Sequence, residues 1–255
     1  MAQRIWQLGL VVILMLCMLL VAGHQSNDTG EILFPASAGD SVYIRTRDGT
    51  RIIIDAGNDA PTLLSLLAHH QPLFATGVAD ILILTHPGVA WQGGRAALIQ
   101  RGVREVWVLE AVRDELAEAC RQPLYQCRIV ARGTTFSHDG LTLRIIDTHA
   151  IRIDWAGGAV LVAHSADVLP DSGDWPADGV RVVSMPWAMP PPRDLLARIA
   201  PTHIIYRSGQ RRDTPARLSY AQRRVGGEHL LHRDIDGTIQ ILLADPAKVW
   251  RETQE

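Results

Sequence analysis

His86 stands where chemistry is expected. The apolar run Ile81-Leu82-Ile83-Leu84 reads as a buried strand and Arg95-Ala96-Ala97-Leu98-Ile99 as a helix, so Thr85-His86-Pro87-Gly88-Val89-Ala90-Trp91-Gln92-Gly93-Gly94 is the corner joining them. An imidazole at such a corner is a metal ligand by type, but zinc takes three or four protein donors. Between His86 and Gly94 the chain offers no second imidazole, carboxylate or thiolate. Two readings stay open. A rebuilt zinc or manganese centre would draw on His86, His164 and a carboxylate, with Asp55 and Asp167 as candidates. Otherwise His86 is a hydrogen-bonded corner residue and the protein carries no cofactor. Asp40 and Asp55 both sit in glycine-containing turns and read as acceptors of backbone N–H groups.

A second cluster is basic. Tyr206 to Arg224 holds Arg207, Arg211, Arg212, Arg217, Arg223 and Arg224 against the single acid Asp213, with Tyr206 and Tyr220 interleaved. Guanidinium forks suit phosphate oxygens, so Arg207, Arg211, Arg212 and Arg217 are candidate nucleic-acid contacts; the plainer reading is a solvated face. Cys120 and Cys127 flank a short segment and would close a small disulfide loop in an oxidising compartment, stabilising by roughly 2.5 kcal/mol in the chain-entropy model. Two unrelated buried thiols is the alternative. A GxSxG elbow and a GxxxxGK[ST] loop are both missing, which removes serine-hydrolase and nucleotide-triphosphatase chemistry.

The elements that must position these groups read as α/β. Val42 to Thr46 and Arg51 to Ile54 form a hairpin across Arg47-Asp48-Gly49-Thr50, whose Asp-Gly marks the turn. Leucines at helical spacing predict a helix over Pro61 to His70, and another helical pattern runs from Ala111 to Ala119. Glu105 to Leu109, Arg128 to Ala131, Leu141 to Ile146, Ile151 to Trp155 and Ala159 to Ala163 read as strands, and Pro190-Pro191-Pro192 as a stiff loop. With 255 residues, 47% of them hydrophobic, the chain can bury one large core, and a net charge of −2 points to no acidic partner on global grounds. The expected organisation is a membrane-targeting segment over residues 1–23, a linker over 24–30 within an irregular stretch reaching Ala38, one domain over 31–245 and a tail over 246–255.

Ile5 to Gly23 is almost continuously apolar, with Arg4 before it. About 19 residues at 1.5 Å each span roughly 29 Å, the thickness of the hydrocarbon core, so one anchor with its N-terminus in the cytoplasm fits. A cleaved signal peptide ending at Val21-Ala22-Gly23 fits too. Either route delivers the domain outside the cytoplasm, membrane-anchored or secreted.

Gly39-Asp40-Ser41, Ile54-Asp55-Ala56-Gly57 and the His86 corner, taken together, resemble the metallo-β-lactamase fold, in particular the soluble C-terminal domain of the DNA-internalisation protein ComEC, where the pattern runs GDS, IDTG, THPDADHIGG. The resemblance implies an αββα sandwich of two mixed sheets with helices on the outer faces. It places the family's first histidine on His86, the paired glycines on Gly93 and Gly94, and the intervening ligands on Gly88, Ala90 and Trp91, none of which binds a borderline cation. The family's bridging aspartate falls at His164-Ser165, and its histidine pair at Ser184-Met185. No histidine occurs between His164 and His203. The late GHP element falls on Asp213-Thr214-Pro215, and a closing hairpin on Arg233-Asp234-Ile235-Asp236-Gly237.

On this resemblance one ligand of the family's set survives, and large apolar groups, Trp91, Met185 and Trp187, stand near the lost ones. They either plug the former metal cavity or line an aromatic cleft. The implied protein is an extracytoplasmic, membrane-tethered pseudoenzyme that binds or scaffolds an unknown protein partner or membrane complex. Two alternatives remain: a metal-dependent phosphodiesterase or nuclease with a rebuilt site, and an accessory DNA-binding component of uptake.

Overall fold

The computed structural model describes residues 9–16, 18, 29–36, 39–71, 76–121, 124–147, 150–163, 178–186, 193–207, 230–244 and 248–252. Its strands make two mixed sheets. The first has the order β15-β14-β1-β2-β3-β4-β5-β6 and the second β13-β12-β11-β10-β9-β8-β7. The first comprises β1 (Glu31–Phe34), β2 (Val42–Arg45), β3 (Arg51–Ile54), β4 (Ala79–Leu84), β5 (Val103–Leu109), β6 (Gln126–Val130), β14 (Thr238–Leu242) and β15 (Lys248–Glu252). The second comprises β7 (Thr135–His138), β8 (Leu141–Asp147), β9 (Ala150–Trp155), β10 (Gly158–Ala163), β11 (Val180–Pro186), β12 (His203–Arg207) and β13 (Leu230–His232).

Side-chain alternation along the central strands builds three apolar layers. Ile52, Ile54, Ile81 and Ile83 of the first sheet meet Val160, Val162, Val182 and Ile205 of the second in the core between the sheets. The opposite faces are covered as well. Ile53, Leu82 and Val106 pack with Leu63 and Leu67 of the helix Ala60–His70 and with Leu98 of the helix Arg95–Gln100. Leu161, Val183 and Ile204 pack with Leu196 and Ile199 of the helix Arg193–Ile199. Strands covered on both faces are apolar without interruption, which is why Ile81 to Leu84 shows no alternation in sequence. The fold is the αββα sandwich of the expected class.

Several elements differ from expectation. The stretch read as irregular up to Ala38 contains β1 at the start of the domain, held between β14 and β2, and the presumed tail contains the edge strand β15, paired antiparallel with β14. Ala111 to Ala119 is no α-helix but two 3₁₀ turns, Glu110–Val112 and Ala117–Arg121. The closing hairpin is replaced by a crossover. β13 pairs in parallel with β12 in one sheet, while β14 joins β1 in the other. The helical turn Arg233–Asp236 carries the chain across, with the Asp236 carboxylate accepting from the His232 backbone N–H at 2.7 Å. Cys120 and Cys127 are bonded, their Cα atoms 5.2 Å apart, tying the second 3₁₀ turn to β6. Residues 9–16 are helical and Leu10 to Leu16 are 54–67% exposed. Among the described residues no helix is long and apolar enough to cross a membrane.

β1 brings one acid into the interior. Glu31 is fully buried, accepts from Arg45 Nε at 2.8 Å and from Gln240, and lies 3.5 Å from His70 Nδ1. Burial pushes its pKa up, but the bonds from His70, Arg45 and Gln240 and the charge of Arg45 outweigh that, leaving it below the usual carboxylate range. A depressed folded pKa gives stability that is complete above the unfolded value of about 4.3 and is lost as pH falls through the folded pKa. Glu31→Gln should therefore cost roughly 3–5 kcal/mol at pH 7, because Arg45 stays buried without its partner, and visibly less near pH 3. Urea unfolding at the two pH values measures the difference.

Candidate functional site

The charged interior lies where the C-terminal ends of β3 and β4 face those of β10 to β12, the edge at which open α/β sheets present ligand sites. Asp55 follows β3 directly. Its backbone is left-handed (φ 56°), its N–H donates to Ile83 O at 2.8 Å, and its carboxylate accepts from the Thr85 N–H at 2.8 Å and from the Thr85 hydroxyl. The expected acceptor role is present. It locks the end of β3 to the first residue of the His86 corner, in a buried place where Asp55 and Thr85 are 0% and 1% exposed.

The glycines of the corner have a packing reason. A Cβ on Gly94 would stand 2.3 Å from Ala56 O, and one on Gly93 would stand 3.0 Å from Asn58. The loop lies against the segment after β3, with the Ala56 N–H donating to Trp91 O at 2.6 Å and the Gly94 N–H to Gly57 O at 3.0 Å. Gly39, at φ 72°, is pressed against the same pair of segments, and the Asp40 N–H donates to Ala90 O at 3.0 Å. Three stretches with a shared resemblance thus form one clasp.

Inside this clasp His86 and Trp91 are half-buried and stacked, with ring centroids 4.2 Å apart and planes 30° from parallel. The Gly88 N–H donates to His86 Nδ1 at 3.3 Å, and Gln92 Nε2 donates to His86 O at 2.7 Å. One imidazole face is covered by indole and Nδ1 is engaged locally. Among the described residues the corner presents a single imidazole with an aromatic ring stacked on it, a set short of the three or four donors that a zinc centre takes. Trp91 is a partial cover over His86 more than a buried plug.

The second sheet delivers different groups from those expected. Met185 points to the outer layer, packing with Leu196 and Tyr206, because it alternates with Ser184 along β11. Ser184 is therefore the residue that faces the other sheet. Arg207, expected on a basic surface, is 0% exposed. It lies two residues after Ile205 of the inter-sheet core, on the same face of β12, and its Nη2 donates to Ala163 O at the end of β10. Burial lowers its pKa, and the charges of Asp40 and Asp55 act in the opposite direction. Arg233 is also buried, with Nη1 donating to Gly39 O. Asp40, 1% exposed, has both carboxylate oxygens without a hydrogen-bond partner among the described residues. The turn-acceptor role expected of it is not seen there.

His164, Ser165, Trp187, Arg211, Arg212 and Arg217 lie outside the described residues, as does Asp167. Sequence reasoning missed the interior position of Arg207 and the whole of Arg233. The signal for Arg207 was His203-Ile204-Ile205-Tyr206-Arg207, a strand whose two-residue period puts Arg207 beside Ile205. No comparable signal marked Arg233. For Trp91, half-burial and one stacked ring set the scale: Trp91→Ala should cost about 1–2 kcal/mol, below the 3–5 kcal/mol of a fully buried aromatic, as read by chemical denaturation.

The sequence matches no family model and no curated protein. Solved structures do resemble it. The metallo-β-lactamase fold protein YhfI from Bacillus subtilis superposes with a TM-score of 0.62 at 11% identity, over 88% of this chain and 100% of that one. A diphosphatase from the PhnP family gives 0.55 at 11% identity, over 84% and 98%. Zinc-bound PqqB from Methylobacterium extorquens gives 0.50 at 10% identity, over 61% and 69%. At these identities the likeness concerns architecture alone, and the chain has the metallo-β-lactamase fold.

Proposed function

We propose that this protein is a ComEC-like pseudoenzyme of the metallo-β-lactamase fold, tethered to the membrane by its N-terminal apolar segment and acting outside the cytoplasm by binding or scaffolding a protein or membrane complex. The observation that carries the reading is the content of the site. A stacked indole covers the one histidine of the corner, the neighbouring positions are Gly88 and Ala90, and among the described residues the opposite sheet contributes Ser184 and a buried arginine in place of imidazole and carboxylate donors. Such a set can order a loop but cannot activate water by metal coordination. The bonded Cys120 and Cys127 and the exposed apolar helix over residues 9–16 are consistent with an oxidising compartment and a lipid anchor.

A second reading, a metal-dependent hydrolase with a rebuilt site around His86 and His164, draws support from the solved neighbours, which include a diphosphatase and a zinc-bound protein. Competence and DNA uptake rest on the ComEC resemblance and on Arg211, Arg212 and Arg217, since the buried Arg207 is no surface contact. Elemental analysis of the purified domain after dialysis separates the first two: well under one zinc or manganese per chain is expected. A stoichiometric metal lost in His86→Ala would establish the hydrolase reading instead. Duplex and single-stranded DNA titrated at low salt should show weak binding at most; tight binding that falls steeply with salt would favour the uptake role.

A further inference from the structure

Two groups of opposite charge type, Arg207 and Asp40, are buried in the site with most of their side-chain polar atoms lacking a hydrogen-bond partner among the described residues. Arg207 is fully buried, and beyond the bond from Nη2 to Ala163 O its Nε and Nη1 have no hydrogen-bond partner among the described residues. Asp40 is equally shielded, with both oxygens in the same condition. A guanidinium cannot escape burial by losing its proton, since its pKa lies far above neutrality, so a dry site must compensate it with negative charge. Asp40 and Asp55 are buried with it at this end of the sheets, and their negative charges favour its charged form. Asp55 is already held by the Thr85 N–H and hydroxyl. Among the described residues Asp40 has no such donors and stands as the less satisfied of the two.

The surroundings say what this cation replaces. Arg207 reaches the end of β10, the point after which the resemblance puts the family's bridging aspartate, and it enters between the sheets from the same edge as His86. We infer that the guanidinium of Arg207 is the resident cation of this site, balancing Asp40 across the gap between the sheets in the place where a metal-loaded protein of this fold keeps its ion. The assignment deepens the metal-free reading and rests on it for its meaning. Its consequence is a site locked by a covalently attached charge, so that the clasp of the Asp40, Asp55 and His86 segments keeps its shape without any metal supply.

A double-mutant cycle tests the pair. Arg207→Met should lower the thermal midpoint by roughly 6–15 °C, since it leaves Asp40 buried and uncompensated. Asp40→Asn added to Arg207→Met should recover at least half of that loss, because the stranded charge is gone. Losses that simply add would overturn the assignment, as would a cycle in which Asp40 couples to Arg233→Met and not to Arg207→Met. If Arg207→Met does not fold, a double variant that folds gives the same support, and one that also fails counts against it. The metal content of the wild-type protein is read separately: additive losses in a metal-free protein sink the Arg207 pairing alone, whereas coupling in a protein that carries a stoichiometric metal sinks the metal-free reading.

Discussion

A charge sealed between two apolar layers must be answered by another charge, and this requirement organises the functional end of the molecule. Both sheets are covered on both faces, so the loops at their C-terminal edges lead into a space where the side chains of Asp40, Asp55, Arg207 and Arg233 are 0–2% exposed. In a low-dielectric gap the cost of each ion alone is several kcal/mol, and only pairing or dense hydrogen bonding offsets it. A metal ion meets that requirement in one way and an arginine in another. The arginine needs no supply, has no open coordination position and cannot ionise water, so of the two it supplies charge balance alone.

This separation explains why the frame of the corner persists without its ligands. Gly93 and Gly94 are fixed by contact with Asn58 and Ala56, and Asp55 is fixed by Thr85. None of these constraints involves a metal. At 90 and 91 the backbone carbonyls accept from the Asp40 and Ala56 N–H groups, a duty that leaves the side chains free to be methyl and indole.

How much was legible in the sequence follows the same division. The hairpin at Asp48-Gly49, the helix over Pro61 to His70 and the corner at His86 are local signals, set by turn chemistry and period, and they read correctly. β1 and β15 were lost because four or five residues beside polar or irregular sequence carry little pattern, and their strand character comes from partners roughly 200 residues away or from the sheet edge. The crossover at Arg233 was read as a hairpin because the turn residues are the same; which sheet the next strand joins is a tertiary fact. Met185 was placed in the site by the resemblance, which set the histidine pair on Ser184-Met185, and the two-residue period of β11 turns it to the far side from Ser184. Arg207 was read as surface because arginines in a basic stretch ordinarily are, although Ile205 beside it pointed inward.

The central claim is that the protein's own guanidinium has taken the metal's place, and the most direct measurement is thermal unfolding of the purified protein across a zinc and manganese titration, with a chelator-treated sample as the reference. A ligand that binds only the folded state raises stability as RT ln(1 + [L]/Kd), so a functional site would give a saturable rise in midpoint. A site balanced by Arg207 gives the same midpoint in chelator and in either metal. A saturable upward shift that disappears in His86→Ala would contradict it.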